Sequence, residues 1–342
     1  MIKIVNHPGS RLKQARISAG YHTAKDFYDQ FNIKSSTYSA HESGRNPLNI
    51  KTAKMYGELL RVSPGWLLTG GEENHPEELN KYVLHYGQVP RDVLLNKMLN
   101  EPTVNFLKTA GIQKGMSVAD LGCGTGSMSC WLAEYVGKTG FVYAVDKGFE
   151  QLSITKKRAS ELNITNMEYI RTEFGKQLLN IQADFIYMRC FLHHQKKPIE
   201  TIKNAINLLP KNGIIFCMEP ILNTFWTYPS IPETEKALNL YITLGQNSGL
   251  DFNIGKKLYS YLLSTNLLHD FQIFTYHGLG KSKFEKSWVE MITTECAIKY
   301  IEEKLSTEKE MDKMIEKISQ HIDAETTLAS LPEFICVTAR KR

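Results

Sequence analysis

The stretch VADLGCGTGSMS, Val118 to Ser129, sets glycines at positions 122, 124 and 126 and places Asp120 two residues ahead of the first. It joins an apolar run that reads as a strand to SMSCWLAEYVG, which reads as an amphipathic helix. Glycines at alternate positions in such a turn leave the backbone bare, so a ligand can approach it closely. A dinucleotide-binding turn is spaced G-x-G-x-x-G, but here the third glycine falls one residue early and Ser127 follows it. Asp120 would repel a pyrophosphate, whereas an ammonium or sulfonium group would be drawn to it.

Working outward, apolar strands alternate with amphipathic helices: GFVYAVD, SITKKRASELN, MEYIRTE, ADFIYMRCF, IETIKNAINLLP and GIIFCMEP. Such alternation predicts right-handed crossovers and a mostly parallel sheet covered by helices, an α/β Rossmann-like fold. Ligands then bind at the carboxyl ends of the strands. PEFICVTARKR is the expected last strand. KYIEEKLSTEKEMDKMIEKISQHI reads as one amphipathic helix that covers the sheet or pairs protomers in a homodimer.

From about residue 82 to 342 the chain resembles the class I methyltransferases dependent on S-adenosylmethionine (SAM), with VADLGCGTG as their first motif and four further segments in order. The resemblance implies SAM as cofactor, held by Asp120, Gly122, Cys123, Gly124 and Gly126. Asp146, at the end of VYAVD and beside Lys147, would accept the ribose hydroxyls. Glu173 and Phe174 fall at the adenine edge, and Arg189 with the residues after it beside the methyl group. His193 and His194 follow, as a general base or as local structure. Trp131, on the first helix, reads as packing against the sheet more readily than as a sulfonium contact. Tyr82 and Tyr86 resemble the lid of small-molecule members, the alternative being an ordinary amphipathic helix.

Residues 220–300 read as an inserted substrate cap, with Trp226 and Tyr228 among the clustered aromatics Phe225, Tyr241, Phe252, Tyr259 and Tyr261. An aromatic cap suits a small, partly apolar acceptor. The Asn/Asp-Pro-Pro-aromatic and Pro-Cys signatures of base-modifying DNA enzymes are missing after the fourth strand, so the methyl acceptor is expected to be a small molecule.

The first 71 residues differ in character. They hold ten lysines and arginines against four acidic residues, a surplus of six in a chain whose total charge is +5, so the rest is close to neutral. Five short helical patterns are divided by turn signals, with Thr23 and Asp26 at capping-box spacing and Ser35 as a further expected cap. The second and third helices are separated only by about Asn32 to Lys34, helix-turn-helix spacing in which Asn32 tolerates a left-handed conformation. Across residues 10–70, and most specifically in FNIKSSTYSAHESGRNPLNIKTAKMYGELLRVSPGWLLTG, the segment resembles the Cro/repressor-like helix-turn-helix family. The resemblance implies double-stranded DNA as partner, with Ser36, Thr37 and His41 facing base edges and Lys34 and Arg45 meeting phosphates. The alternative is a docking or dimerising module, since the reading helix has no Arg, Asn or Gln for bidentate base contacts. The expected organisation is an all-α domain at 1–71, a polar linker at 72–81 and the methyltransferase domain at 82–342.

At 342 residues, 42% apolar and 23% charged, the composition is that of a globular protein. No apolar run reaches membrane-spanning length and the first residues carry no signal-peptide pattern, so a cytoplasmic protein is expected. Six scattered cysteines without metal-ligand spacing point to reduced thiols and no metal. Two functions remain open: a small-molecule methyltransferase with a head that binds DNA or regulates, and a transcriptional regulator that uses the methyltransferase domain as a SAM or ligand sensor.

Overall fold

The computed structural model describes residues 7–19, 21–60, 62, 64–69, 88–175 and 179–342. The expected linker at 72–81, together with Tyr82 and Tyr86, lies outside them. The described chain divides into two compact units, each drawn from separate stretches: one from residues up to Leu94 with Pro229–Leu244 and Lys281–Leu328, the other from Leu95–Tyr228, Gly245–Gly280 and Ala329–Arg342. Segment 220–300 therefore contributes to both.

The first unit is helical. Helices α1 (Pro8–Ser18), α2 (Ala24–Gln30), α3 (Ser35–Glu42), α4 (Ile50–Leu60) and α5 (Pro64–Thr69) enclose Leu12, Ala15, Phe27, Tyr38, Tyr56 and Leu67. Thr23 and Asp26 form the capping box of α2, and Asn32 has a φ of 51° in the turn before α3. Lys34 occupies the cap position of α3 without a side-chain bond, so Ser35 is the first helical residue and not the cap. His7 caps α1, its Nδ1 accepting from the Gly9 and Ser10 amides at 3.1 and 3.3 Å. Arg16 pairs with Glu42 at 2.8 Å and the Arg11 Nε donates to the Leu67 carbonyl at 3.1 Å, so two of the ten basic side chains are buried inside the bundle.

The same unit contains α10 (Pro232–Asn247) up to Leu244, α12 (Lys283–Lys286), α13 (Trp288–Glu302) and α14 (Glu308–Asp323). Helix α14 meets α4 through Lys54–Glu308 at 3.1 Å and through the Ile50 amide on Asp312 Oδ1 at 3.4 Å. It meets α10 through Glu233–Lys317 at 2.6 Å. Near the start of α6 (Gln88–Ala110), Arg91 forms a buried pair with Glu295 of α13 at 2.8 Å. The expected single helix spanning 299–322 is two helices. Lys304 turns left-handed with φ 58° and a Thr307–Glu310 capping box starts α14 afresh, because the side-chain cap satisfies the amides that the break exposes.

The second unit is a seven-stranded sheet in the order β3-β2-β1-β4-β5-β10-β7. Strands β1 (Ser117–Leu121), β2 (Phe141–Asp146), β3 (Met167–Arg171), β4 (Phe185–Arg189) and β5 (Ile214–Ile221) are parallel. Between them run α7 (Ser127–Val136), α8 (Phe149–Glu161) and α9 (Pro198–Asn207). Strand β10 (Glu333–Lys341) returns antiparallel to β5, and β7 (Leu268–Tyr276) pairs antiparallel with β10 at the edge. Short strands β6 (Thr227–Tyr228), β8 (Leu279–Gly280) and β9 (Leu328–Ser330) make a separate small sheet, and α11 (Leu258–Leu263) packs on the main one. All six cysteines are free thiols. Among the described residues no helix is long and apolar enough to cross a membrane.

Candidate functional site

The turn after β1 is pinned to the neighbouring strand, since the Gly122 and Cys123 amides both donate to the Val145 carbonyl at 2.8 and 3.0 Å. Gly122, Gly124 and Gly126 all have positive φ, at 82°, 53° and 73°. L-residues pay about 1–2 kcal/mol in that region, which is the first reason for glycine here. The second reason differs among the three. A Cβ on Gly122 would lie 2.4 Å from the Phe191 ring and one on Gly126 2.4 Å from Thr155, whereas one on Gly124 would meet nothing within 4 Å. The expectation that all three glycines bare the backbone to a ligand therefore narrows to Gly124. The other two make room for the protein's own side chains.

Two carboxyl groups flank this turn. Asp146 Oδ2 accepts the Gly124 amide at 3.0 Å and Oδ1 the Gly148 amide at 2.8 Å, and burial pushes its pKa up. Each carboxylate oxygen retains a second lone pair for a further donor. Asp120 is 2% exposed and accepts from Ser129 Oγ at 2.5 Å. Burial raises its pKa to about 7, against the opposing pull of the Ser129 hydrogen bond and the Arg189 charge. Opposite Asp120 in the β1–β4 register, the buried Tyr187 hydroxyl has no hydrogen-bond partner among the described residues. A strand face with a costly buried carboxyl and an unpaired hydroxyl fits a ligand that brings a cation and hydrogen-bonding groups.

The other residues expected around the cofactor fall as follows. Cys123 is buried against Ala144 and Leu152, contributing packing and its backbone. Lys147 is half-buried and its carbonyl accepts from Arg171 Nε at 3.2 Å. Glu173 is exposed just past β3, while the Phe174 side chain is buried near the Phe191 ring, with centroids 6.2 Å apart. Phe174 thus serves the core and its ring is not an open adenine contact, because it packs into the main hydrophobic cluster. Trp131 stacks on Tyr135 one turn along α7, at 4.9 Å, and is not part of the main core.

Arg189, at the end of β4, donates to Asn100 Oδ1 at 3.0 Å, Asn96 Oδ1 at 3.0 Å and Thr103 Oγ1 at 3.3 Å, all on α6. These are neutral acceptors, so the guanidinium keeps its charge for Asp120 or for an anionic group of a ligand. Asn96, Asn100 and Thr103 escaped the sequence reading. Their i, i+4, i+7 spacing is one helical face, and polar residues repeated at that period were the available signal.

Beyond Arg189 the backbone turns through Cys190, at φ 54°, into a short 3₁₀ turn at Leu192–His194. Glu219 of β5, fully buried, accepts the Phe191 and Leu192 amides at 2.8 and 2.6 Å and the His193 amide at 3.3 Å. Its Oε2 also lies 2.6 Å from His193 Nδ1. Glu219 lies in the strand segment GIIFCMEP, where nothing local in sequence marks a charge inside an all-buried strand for this loop. His194 is half-buried, its ring centroid 3.9 Å from that of His193.

The aromatics of segment 220–300 do not form one lining. Trp226 and Tyr228 are exposed, at 39% and 70%, Phe225 and Phe252 are buried within the second unit, and Tyr241 is buried in the first. On α3 and just beyond, Lys34, Ser36, Thr37 and Arg45 are exposed. His41 is not available to a base edge. It is 7% exposed and its Nδ1 lies 3.0 Å from Tyr56 Oη, because position 41 follows Tyr38 by three residues on the inward face of α3.

Residues 112–263 match a family model described as a methyltransferase domain. A probable cobalt-precorrin-6B C(15)-methyltransferase (decarboxylating) of Saccharolobus solfataricus is 31% identical over 134 residues, 39% of this chain and 66% of that protein. A demethylmenaquinone methyltransferase of Listeria monocytogenes is 23% identical over 136 residues, 40% of this chain and 55% of that protein. The chain thus spans less than two thirds of the length of these curated relatives. The solved YcgJ protein of Bacillus subtilis is similar at 16% identity over 69% of this chain and 96% of its own, with a TM-score of 0.48. With the glycine turn, the flanking carboxyl groups and the parallel strand order in view, residues 112–263 are a methyltransferase domain.

Proposed function

We propose that the chain transfers a methyl group from SAM to a small organic acceptor, and that its N-terminal helices bind duplex DNA. The observation that carries the enzymatic half is the arrangement of Gly124, Asp146 and Asp120: one glycine open to space, one carboxylate tied to its amide and one buried acid on the neighbouring strand end. Asp146 would take the ribose hydroxyls, Glu173 the adenine edge, and Asp120 the cationic methionine end, with Arg189 near its carboxylate. SAM supplies an electrophile that is already activated, so alignment and exclusion of water account for much of the rate. The two curated relatives act, by their names, on cobalt-precorrin-6B and demethylmenaquinone. Trp226 and Tyr228, exposed beside the carboxyl end of β5, are the acceptor contacts proposed here.

For the head, Lys34 and Arg45 would neutralise phosphates while Ser36 and Thr37 approach the bases, giving shallow sequence preference. A sensing regulator is the second reading. It is favoured by the ion pairs Lys54–Glu308 and Glu233–Lys317, which link helix α4 of the bundle and helix α10 of segment 220–300 to the same α14. Radiolabelled SAM incubated with a metabolite extract, duplex DNA and RNA separates these cases. Label in the small-molecule fraction is expected. Label entering nucleic acid at substantial turnover refutes the acceptor class, and SAM binding without turnover favours the sensor.

A further inference from the structure

Four hydrogen bonds converge on the carboxylate of Glu219, and together they shape the loop that follows β4. Three come from consecutive amides, Phe191, Leu192 and His193, and the fourth joins Oε2 to His193 Nδ1 at 2.6 Å. The loop begins at Cys190, a non-glycine residue with φ 54°, a conformation that persists only where surrounding contacts hold it. Phe191, the first residue so held, is also the side chain that fills the space over Gly122. Glu219 therefore fixes His193 relative to the glycine turn and not merely relative to β5.

A carboxylate only accepts, so the bond at 2.6 Å requires the proton on Nδ1. The lone pair is then on Nε2, the other ring nitrogen. We propose that Glu219 is a positioning residue that holds His193 as the Nδ1–H tautomer, so that Nε2 takes the proton of a hydroxyl acceptor during methyl transfer. The proposal rests on the methyltransferase reading and commits its substrate class to alcohols or phenols. A sulfide or a neutral amine attacks through a free lone pair and needs no base, whereas a hydroxyl must lose its proton; a carbon acid must lose one too, and the atom that carries the product methyl separates those two.

The acceptor oxygen bonds to the methyl carbon while the methyl–sulfonium bond breaks and its electron pair stays on sulfur, which leaves as the neutral thioether of S-adenosylhomocysteine. The hydroxyl proton moves to Nε2, and the positive charge lost by sulfur appears on an imidazolium that lies against the Glu219 carboxylate. That proton passes to solvent before the next turnover. Phe252, whose ring centroid is 5.7 Å from that of His193, and His194 are the rings packed against the imidazole.

The test uses the full chain with nitrogen-15-labelled histidine. Two-bond proton–nitrogen correlations report the tautomer of each ring, and His193 is assigned from its absence in His193→Gln. Wild type should show Nδ1–H. Glu219→Gln should switch His193 to Nε2–H, because the amide nitrogen then donates to Nδ1. With carbon-13-methyl SAM and a metabolite extract, wild type should yield an O–CH3 resonance. Glu219→Gln should lower that rate by about 10²-fold while SAM affinity by calorimetry stays within about threefold. An Nε2–H tautomer in wild type, a methyl product on nitrogen, carbon or sulfur, or a variant whose SAM affinity falls as far as its rate would overturn the proposal. Should Glu219→Gln fail to fold, the wild-type tautomer and the product resonance still decide. If SAM binds and no product forms, the methyltransferase reading fails, while the tautomer still judges the role of Glu219.

Discussion

The glycine turn after β1 and the exposed face of α3 both gather polar groups, but they hold them in opposite ways. In the turn, backbone conformation does the holding: left-handed glycines, amides seated on Asp146, and a carboxyl group at Asp120 kept in place by burial and one hydroxyl. On α3 the outward groups are Ser36 and Thr37, flanked by Lys34 and Arg45, none fixed by a comparable network. The first is a preorganised site, in which desolvation has been met in folding and each lost bond is expensive. The second is a solvated surface whose contacts are worth little singly. Changes of equal chemical size should therefore differ greatly in effect between the two.

The largest effect is expected at Asp146. Asp146→Ala removes a proposed acceptor for two ribose hydroxyls, at roughly 1.5–3 kcal/mol per charged hydrogen bond, and also releases the Gly124 amide. SAM affinity should fall about 10²- to 10⁴-fold by calorimetry. The full chain is the right material, because a truncation near residue 80 would strip α14 of its partner α4. Unchanged affinity would mean that the pocket lies elsewhere.

Two alanines divide the turn itself. Gly122→Ala forces a methyl into the Phe191 ring as well as an unfavourable φ, and should cost roughly 2–5 kcal/mol of stability together with SAM binding. Gly124→Ala meets no protein atom and should cost about 1–2 kcal/mol, yet weaken SAM at least as much, since its methyl enters the open space proposed for the ligand. Equal thermal shifts for the two variants would contradict the distinct roles assigned to these glycines.

Asp120 gives a pH signature. Its pKa, raised from 3.8 to about 7 by burial, means that the folded state holds a proton the unfolded state releases between those values. The contribution to stability is complete below 3.8 and is lost as pH rises through about 7. A cation pairs with the ionised form, so SAM affinity should drop about tenfold between about pH 8 and about pH 6. Asp120→Asn should flatten that dependence, and without SAM it should melt higher than wild type at about pH 8, since no buried charge remains. A pH-independent affinity in wild type would detach Asp120 from the cationic end.

The same contrast explains what is legible in the sequence alone. Strand–helix alternation from Val118 to Ile221 and the α2 capping box are local patterns, and the folded chain shows them. Glu219, the Asn96–Asn100–Thr103 row and the inward His41 depend on partners 15 or more residues away, which periodicity does not encode. Strand β7 was hidden inside the presumed cap. Asp270 turns left-handed within it and the register with β10 shifts between Thr338 and Arg340, so its alternation is broken. The helix break at Lys304 was masked by an apolar period that runs through both helices.

The smallest effect belongs to the head and bears on the other half of the contrast. If α3 is a phosphate-directed surface, Arg45→Ala should change DNA affinity modestly and equally for all sequences, and should reduce the slope of log affinity against log salt by about one. Since Arg11 and Arg16 are buried, the slope for wild type should reflect only exposed cations such as Lys34 and Arg45. His41→Ala is the sharper control. His41 lies in the core against Tyr56, so its removal should lower bundle stability by about 1–3 kcal/mol without altering base preference. Fluorescence anisotropy of the full chain over a salt series, with Lys34→Ala and Arg45→Ala combined, decides the matter. A flattened slope in the double variant is expected. Binding indifferent to both substitutions, or none at low salt even in wild type, would make the bundle a docking module, and the exposed face of α3 would have no polyanion to meet.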